Sequence, residues 1–181
     1  MSEPSLDLSA DNLSRRLGPF LSQSLRRPLR LEGWRRFPAG FSWITMGVRA
    51  MPDGDGEPLD LILRIGDPRG LLAPYRAEPE YRALDALQGL DALPVPRVFA
   101  FSDDSSIIGA PFLFTGRVEG DTPMPWKGAA EVRGEARNAS LAQDFTDGLA
   151  ALHAVDWRGT ALKRLWGDES VSKYQRIGGT R

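Results

Sequence analysis

A run of turn-forming residues divides the first half of this chain into strands. Residues 52–58 read Pro-Asp-Gly-Asp-Gly-Glu-Pro, a composition typical of a tight reversal. The flanking segments, 41–50 and 59–65, are rich in aromatic, β-branched and other apolar residues that favour strands. An earlier segment, 29–37, alternates loosely and ends in a Pro-Ala-Gly turn at 38–40. The sequence therefore predicts three consecutive antiparallel strands.

Helical periodicity appears before and after these strands. Leucines at positions 13, 17, 21 and 25 recur every four residues, and Ser9 can act as N-cap, so we predict a helix at about 9–25. Pro79 suits the first turn of a second helix, which ends near Gly89.

Later segments complete an α+β pattern. Short strands are predicted at 97–101 and 108–118, the second interrupted at Pro111. A three-to-four residue period then relates Leu141, Phe145, Leu149 and Leu152. It predicts a long helix that ends at about the single histidine, His153. We expect a five-stranded antiparallel sheet with one helix, preceded by an N-terminal helix.

Composition excludes several classes of protein. A net charge of -1 gives no general attraction for nucleic acid, although five arginines between positions 26 and 36 form a local basic stretch. The absence of cysteine excludes disulfides and thiolate metal sites and fits the cytoplasm. No run of about 18 apolar residues predicts a membrane span.

Six segments in fixed order carry a family resemblance. They are 37–42 (Phe-Pro-Ala-Gly-Phe-Ser), 61–64 (Leu-Ile-Leu-Arg), 80–84 (Glu-Tyr-Arg-Ala-Leu), 94–98 (Pro-Val-Pro-Arg-Val), 109–113 (Gly-Ala-Pro-Phe-Leu) and 117–120 (Arg-Val-Glu-Gly). Together they resemble the N-terminal lobe of the protein-kinase-like fold in the aminoglycoside phosphotransferase and choline kinase superfamily. The similarity is greatest to the branch with the phosphotransferase-like domain of acyl-CoA dehydrogenases. It implies an N-lobe at 1–118, followed at 119–181 by a connector and the start of a truncated helical C-lobe.

The resemblance implies a nucleotide site for ATP. Arg64 would contact the phosphates, and Glu80 on the following helix would fix its side chain. The alternative is that Arg64 is a solvated residue at a strand end and that Glu80 is an unrelated acid in the first turn of the helix, where the helix dipole favours negative charge.

Two backbone segments would complete that site. Gly40, Phe41 and Ser42 form the turn that would lie over the phosphates, where a missing Cβ allows close approach, although a glycine here also suits a plain hairpin. The connector residues Gly116, Arg117 and Val118 would contact adenine through their backbone groups.

The catalytic loop of the family is absent from the sequence. That loop contains His-Gly-Asp, whereas the only histidine, His153, is followed by Ala154 and is expected to be structural. We therefore expect Mg²⁺ binding and catalysis only in an intact enzyme, with this chain a fragment or a degenerate relative. The alternatives are a noncatalytic lobe that binds nucleotide or a partner, or an unrelated α+β domain. Apolar residues of the long helix, including Phe145, would then lack cover and favour self-association.

Overall fold

The computed structural model describes residues 6–38, 42–70, 73–90, 93–120 and 135–163. The α-helices and β-strands in these ranges are α1 (Ala10–Leu25), β1 (Leu29–Phe37), β2 (Trp43–Pro52), β3 (Leu59–Gly66), α2 (Glu78–Leu87), β4 (Val98–Ser102), β5 (Phe112–Gly116) and α3 (Glu135–His153). The strands form one antiparallel sheet in the order β1-β2-β3-β5-β4. The predicted α+β architecture is confirmed.

One face of the sheet is apolar and packs with α1. Leu13, Leu17 and Leu21 are fully buried, as their four-residue spacing predicts. They share a core with alternate residues of the central strands, namely Met46, Val48, Ala50, Leu61, Leu63, Ile65, Phe112 and Phe114. We call this side of the sheet the α1 face.

Serines of α1 satisfy the outer edge of β1. The amide of Leu29 donates to Oγ of Ser22 at 2.9 Å, and Oγ of Ser14 donates to the carbonyl oxygen of Leu31 at 3.1 Å. Nε1 of Trp34 donates in turn to Oγ of Ser14 at 2.8 Å. Since an open strand edge is a site for pairing with other chains, these bonds close part of that edge.

Helix α1 ends at an arginine in a backbone conformation that favours glycine. Arg26 has φ 54° and lies in the left-handed region. Its amide bonds to the carbonyl oxygen of Gln23 at 3.2 Å, and the amide of Arg27 bonds to that of Ser22 at 3.1 Å. A residue with a Cβ in this conformation costs about 1 kcal/mol, so glycine would suit the backbone better.

The fifth strand is shorter than the predicted span of 108–118. It begins only at Phe112, because residues 107–110 form turns. The amide of Gly109 bonds to the carbonyl oxygen of Ser105 at 2.7 Å, and Gly109 adopts φ 89°. Ile108 is buried in the α1-face core, so its apolar character reflects packing and not strand pairing.

The chain divides into two compact units. The first comprises Met1–Asp85 and Pro96–Arg117, and holds the whole sheet and α1. The second comprises Ala86–Val95 and Val118–Arg181, and holds α3. In the described ranges, the helices lack the combination of length and apolar character that crossing a membrane requires.

Candidate functional site

The register of β3 determines which side chains share the second face of the sheet. Arg64 pairs with Thr45 of β2 and with Leu113 of β5. Because side chains alternate along a strand, Arg64 lies opposite the α1 face. Helix α2 packs next to Leu113 through Tyr81 and Leu84, and we call this side the α2 face.

Arg64 and Glu80 form an ion pair between β3 and α2. Nη1 of Arg64 donates to Oε1 of Glu80, and each side chain is 30% exposed. Burial lowers the pKa of the Arg64 guanidinium, but arginine remains protonated in proteins. Among the described residues it has no second hydrogen-bond partner. Arg64 therefore provides a positioned positive charge with N–H donors left for a ligand.

Aromatic residues hold the Arg64 side chain from another side. The guanidinium carbon of Arg64 lies 5.2 Å from the centroid of the Trp43 ring, a cation–π distance. The Tyr75 ring meets Trp43 edge-on, with centroids 5.0 Å apart. A Cβ at Gly66 would lie 2.6 Å from Cβ of Tyr75, so the absence of a side chain at Gly66 allows this packing.

Asp103 connects the start of α2 to the sheet. The amide of Ala77, directly before α2, donates to Oδ1 of Asp103. The other carboxylate oxygen lies 3.7 Å from Nε of Arg76. Asp103 directly follows β4, so this carboxylate binds the helix start three residues before Glu80. It acts like an N-cap supplied by another segment.

We predict that Asp103→Ala destabilises the fold by about 1 kcal/mol, the typical cost of losing an N-cap acceptor. Asp103→Asn keeps an acceptor oxygen and should lose less. Urea unfolding followed by tryptophan fluorescence measures both. The control is Asp104→Ala, because the neighbouring Asp104 accepts only local bonds, from the side chain and the amide of Ser106. Equal losses at the two positions would contradict the helix-positioning role.

A side chain of α2 adds a half-buried phenol to this region. The rings of Tyr81 and Phe101 lie 4.5 Å apart between centroids. Burial raises the pKa of the Tyr81 hydroxyl above its ordinary value, and Asp85 adds to the effect. Tyr81 therefore remains neutral at physiological pH and serves the packing of α2.

An open cavity of about 230 Å³ borders β1, β2 and β3. The ring of Phe37 lies against Gly47, where a Cβ would approach within 3.0 Å of the ring. Arg35 lies 5.2 Å from the centroid of Phe37, and Arg49 pairs with Asp60 at 3.1 Å. The lining of this cavity therefore combines an aromatic ring with both arginines and carboxylates, the latter from Glu32 and Asp60.

The predicted turn over the phosphates lies largely outside the described residues. Gly40 and Phe41 fall in that gap. Ser42 is described and lines a small cavity of about 90 Å³ together with Trp43 and Asp67. Ser42 directly precedes Trp43, the aromatic residue that contacts Arg64.

The predicted connector uses two of its amides within the sheet. The amide of Gly116 donates to the carbonyl oxygen of Arg97 at 2.7 Å, and that of Arg117 donates to Asp60 O at 3.0 Å. Val118 belongs to the second unit and is 68% exposed. A purine at Gly116 or Arg117 would therefore have to use backbone groups other than these amides.

The chain around His153 passes from α3 into a short 3-10 turn. His153 is the last residue of α3 and is exposed. Oδ1 of Asp156 accepts the amide of Arg158 at 3.2 Å and caps a short 3-10 turn. In the part of the chain that the structure describes, no group of three or more acidic or histidine side chains could hold a metal ion.

Comparisons with known proteins agree with this architecture. A model of the phosphotransferase enzyme family, abbreviated APH, matches residues 48–175, more than half of the chain. The chain belongs to this family. The sheet, with α2 beside Arg64, is the kinase-like N-lobe of an APH protein. A comparison with curated proteins finds no match.

Two solved structures are similar to this APH chain. A protein of Ralstonia eutropha JMP134 assigned to the aminoglycoside phosphotransferases is 22% identical, with a TM-score of 0.56. The match covers 92% of this chain and 48% of that protein, so the chain spans about half its length. A protein of Thermobifida fusca YX-ER1 assigned to the fructosamine-3-kinases is 17% identical, with a TM-score of 0.40. That match covers 60% of this chain and 33% of the other protein.

Trp43, Tyr75 and Asp103 were not identified from the sequence. The strand pattern placed Trp43 only as a residue of β2, and no periodicity relates Asp103 to Ala77. The sequence signal at this position is the acidic pair of Asp103 and Asp104 shortly after the strand predicted at 97–101, because aspartate is a preferred acceptor for the amides of a helix start.

Proposed function

We propose that this chain provides the ATP-binding part of a phosphotransferase that acts on a hydroxyl group of a small molecule in the cytoplasm. The ion pair between Arg64 and Glu80 carries the proposal. Phosphoryl transfer depends on cations that neutralise phosphate oxygens and on their positioning. Arg64 has both properties, because Glu80 and Trp43 hold it on a partly exposed face.

The described residues fit a triphosphate better than they fit a metal ion. The Arg64 guanidinium can bind phosphate oxygens in a bidentate manner. Ser42 directly precedes β2, the strand whose first residue, Trp43, contacts Arg64. Magnesium is proposed for the intact enzyme, where it would neutralise phosphate charge. Chemistry requires a carboxylate near the acceptor hydroxyl, and the sequence contains no His-Gly-Asp loop to supply it.

Calorimetric titration of ATP and Mg²⁺ into the 181-residue chain tests the proposal. We expect saturable binding and no release of ADP over hours. GTP and inorganic phosphate serve as competitors that separate base recognition from binding of phosphate alone. No saturation at millimolar ATP would remove the nucleotide-binding role, and ADP release above the background would remove the expectation of an inactive chain.

The candidate acceptors are small molecules that carry a free hydroxyl group. The resemblance to the phosphotransferase-like domain of acyl-CoA dehydrogenases makes an acyl-CoA-linked hydroxyl one candidate, beside antibiotics, choline, homoserine and sugars. A screen of these acceptors requires the intact enzyme.

A second candidate is a noncatalytic lobe that associates with another copy of itself. One observation favours it: α3 carries four exposed large apolar residues, Leu141, Phe145, Leu149 and Leu152. Exposed apolar patches of this kind mark interaction sites.

Phe145→Glu should reduce self-association of the chain, because Phe145 is 71% exposed and burying a charge there is costly. Sedimentation velocity over a range of concentrations measures the effect. The matched control is Gln143→Glu, which introduces the same charge on the same helix. A wild-type chain that sediments as a monomer at every concentration would contradict the second candidate.

A further inference from the structure

A groove on the α1 side of the sheet has features of a separate binding surface. It has a volume of about 930 Å³ and lies between α1 and the start of β1. Gly18 and Leu29 form part of its floor, and a Cβ on Gly18 would lie 4.0 Å from the carbonyl oxygen of Leu29. This is an ordinary contact distance, so α1 and β1 approach each other closely along the floor of the groove. The groove is separate from the site on the α2 face, because Arg64, Glu80 and Trp43 do not line it.

Four arginines line this groove: Arg15, Arg26, Arg27 and Arg30. Arg30 pairs with Asp53 at 3.0 Å, and Nη2 of Arg15 donates to Asn12 at 3.0 Å. Among the described residues, the guanidinium groups of Arg26 and Arg27 have no hydrogen-bond or ion-pair partner. Two positive charges at the C-terminal end of α1 are therefore available to a ligand.

The backbone does not explain why an arginine occupies position 26. Arg26 takes the left-handed conformation, in which glycine is free of the Cβ penalty. Arg27 alone can supply a positive charge near the negative end of the helix dipole. A glycine at position 26 would therefore relieve the backbone and remove only the Arg26 side chain, which lines the groove.

We propose that this groove binds a short acidic peptide segment of a partner protein. Arginine forks bind carboxylates with defined geometry, and the long arginine stems offer apolar surface to neighbouring side chains. Arg15 and Arg26 are separated by roughly 16 Å along the helix axis. An extended peptide covers that distance in about five residues, so the fitting segment carries two acidic positions about five residues apart.

The charge pattern favours a peptide over nucleic acid. Asp11 and Asp53 also line the groove, near the N-terminus of α1 and beside Arg30. A uniform polyanion would meet both carboxylates, whereas a peptide can place its acids only opposite the arginines. Strand addition is disfavoured at Leu29 and Leu31, because Ser22 and Ser14 already bond to their backbone groups. The contacts must therefore come from side chains.

Fluorescence anisotropy with a labelled peptide of about ten residues tests the proposal. The probe carries two pairs of glutamates about five positions apart, with leucine and alanine between them. We expect saturable binding that weakens with salt. A peptide with glutamine in place of glutamate should bind more weakly. Equal binding of the two peptides overturns the proposal, as does the absence of any binding by the acidic one.

Variants of the full chain locate the site. Arg26→Gly and Arg27→Gln should each reduce affinity by about two- to fivefold, while Arg26→Gly leaves the unfolding midpoint unchanged or higher. Arg16→Gln is the matched control, because Arg16 is an exposed arginine of α1 that does not line the groove. A loss with Arg16→Gln equal to that of the groove variants, or equal losses for an oligonucleotide, means general charge attraction and overturns the proposal.

Discussion

Replacing Arg64 with alanine is expected to weaken ATP binding by about 10- to 150-fold. Charge-assisted hydrogen bonds contribute roughly 1.5–3 kcal/mol, and each 1.4 kcal/mol is about tenfold in Kd. The variant removes the positive charge that Glu80 and Trp43 position on the α2 face. Calorimetric titration of ATP with Mg²⁺ into both proteins measures the difference.

Companion variants separate charge from geometry. Arg64→Lys keeps the charge but loses the planar fork and much of the stacking on Trp43, so we expect partial recovery of affinity. Glu80→Gln leaves the guanidinium in place without its fixed carboxylate and should fall between wild type and Arg64→Ala.

The matched control for Arg64 is Arg82→Ala. Arg82 forms an ion pair with Glu78 at 2.8 Å on the same helix α2 but is 53% exposed. Its removal should leave the Kd for ATP unchanged. If Arg64→Ala and Arg82→Ala behave alike while both variants unfold at the wild-type urea concentration, Arg64 has no phosphate role and the proposed function loses its support.

Local signals explain why most of the fold was predictable from the sequence. Helix α1 begins at Ala10, next to the predicted cap Ser9, because the serine side chain and the leucine repeat act within a few residues. The strand from Leu29 to Phe37 was predicted with its observed bounds, because proline and glycine residues end it sharply. The prediction was wrong for residues 108–111, where tertiary packing of Ile108 made a turn resemble a strand.

The candidate site was only partly predictable because its contacts join distant segments. The Arg64–Glu80 contact could be predicted, since the resemblance places both residues in one ordered series. The contact of Asp103 with Ala77 depends on where the β4–β5 connection passes the start of α2. The contact of Trp43 with Arg64 depends on the β2–β3 register and on a rotamer, and neither leaves a periodic signal. The role of the site in binding ATP remains a prediction.

Replacing Phe112 with alanine is expected to produce the largest loss of stability, about 3–5 kcal/mol. Phe112 is fully buried on β5, and its ring packs edge-on against Phe20 of α1 at 5.1 Å and against Phe114 at 6.0 Å. The truncation leaves a cavity between α1 and the sheet that rigid neighbouring strands cannot fill. The free energy of unfolding of a domain is usually only about 5–15 kcal/mol. The expected loss is therefore a large part of the total stability.

Urea unfolding followed by tryptophan fluorescence measures this loss, and Phe145→Ala is its matched control. Phe145 is 71% exposed on α3, so removing its ring should change the free energy of unfolding by no more than about 0.5 kcal/mol. The midpoint for Phe112→Ala should fall while the slope stays constant, because the same surface is exposed on unfolding. Similar midpoints for the two variants would mean that α1 does not pack on β5 in solution. The fixed sheet on which Arg64 depends would then be lost as well.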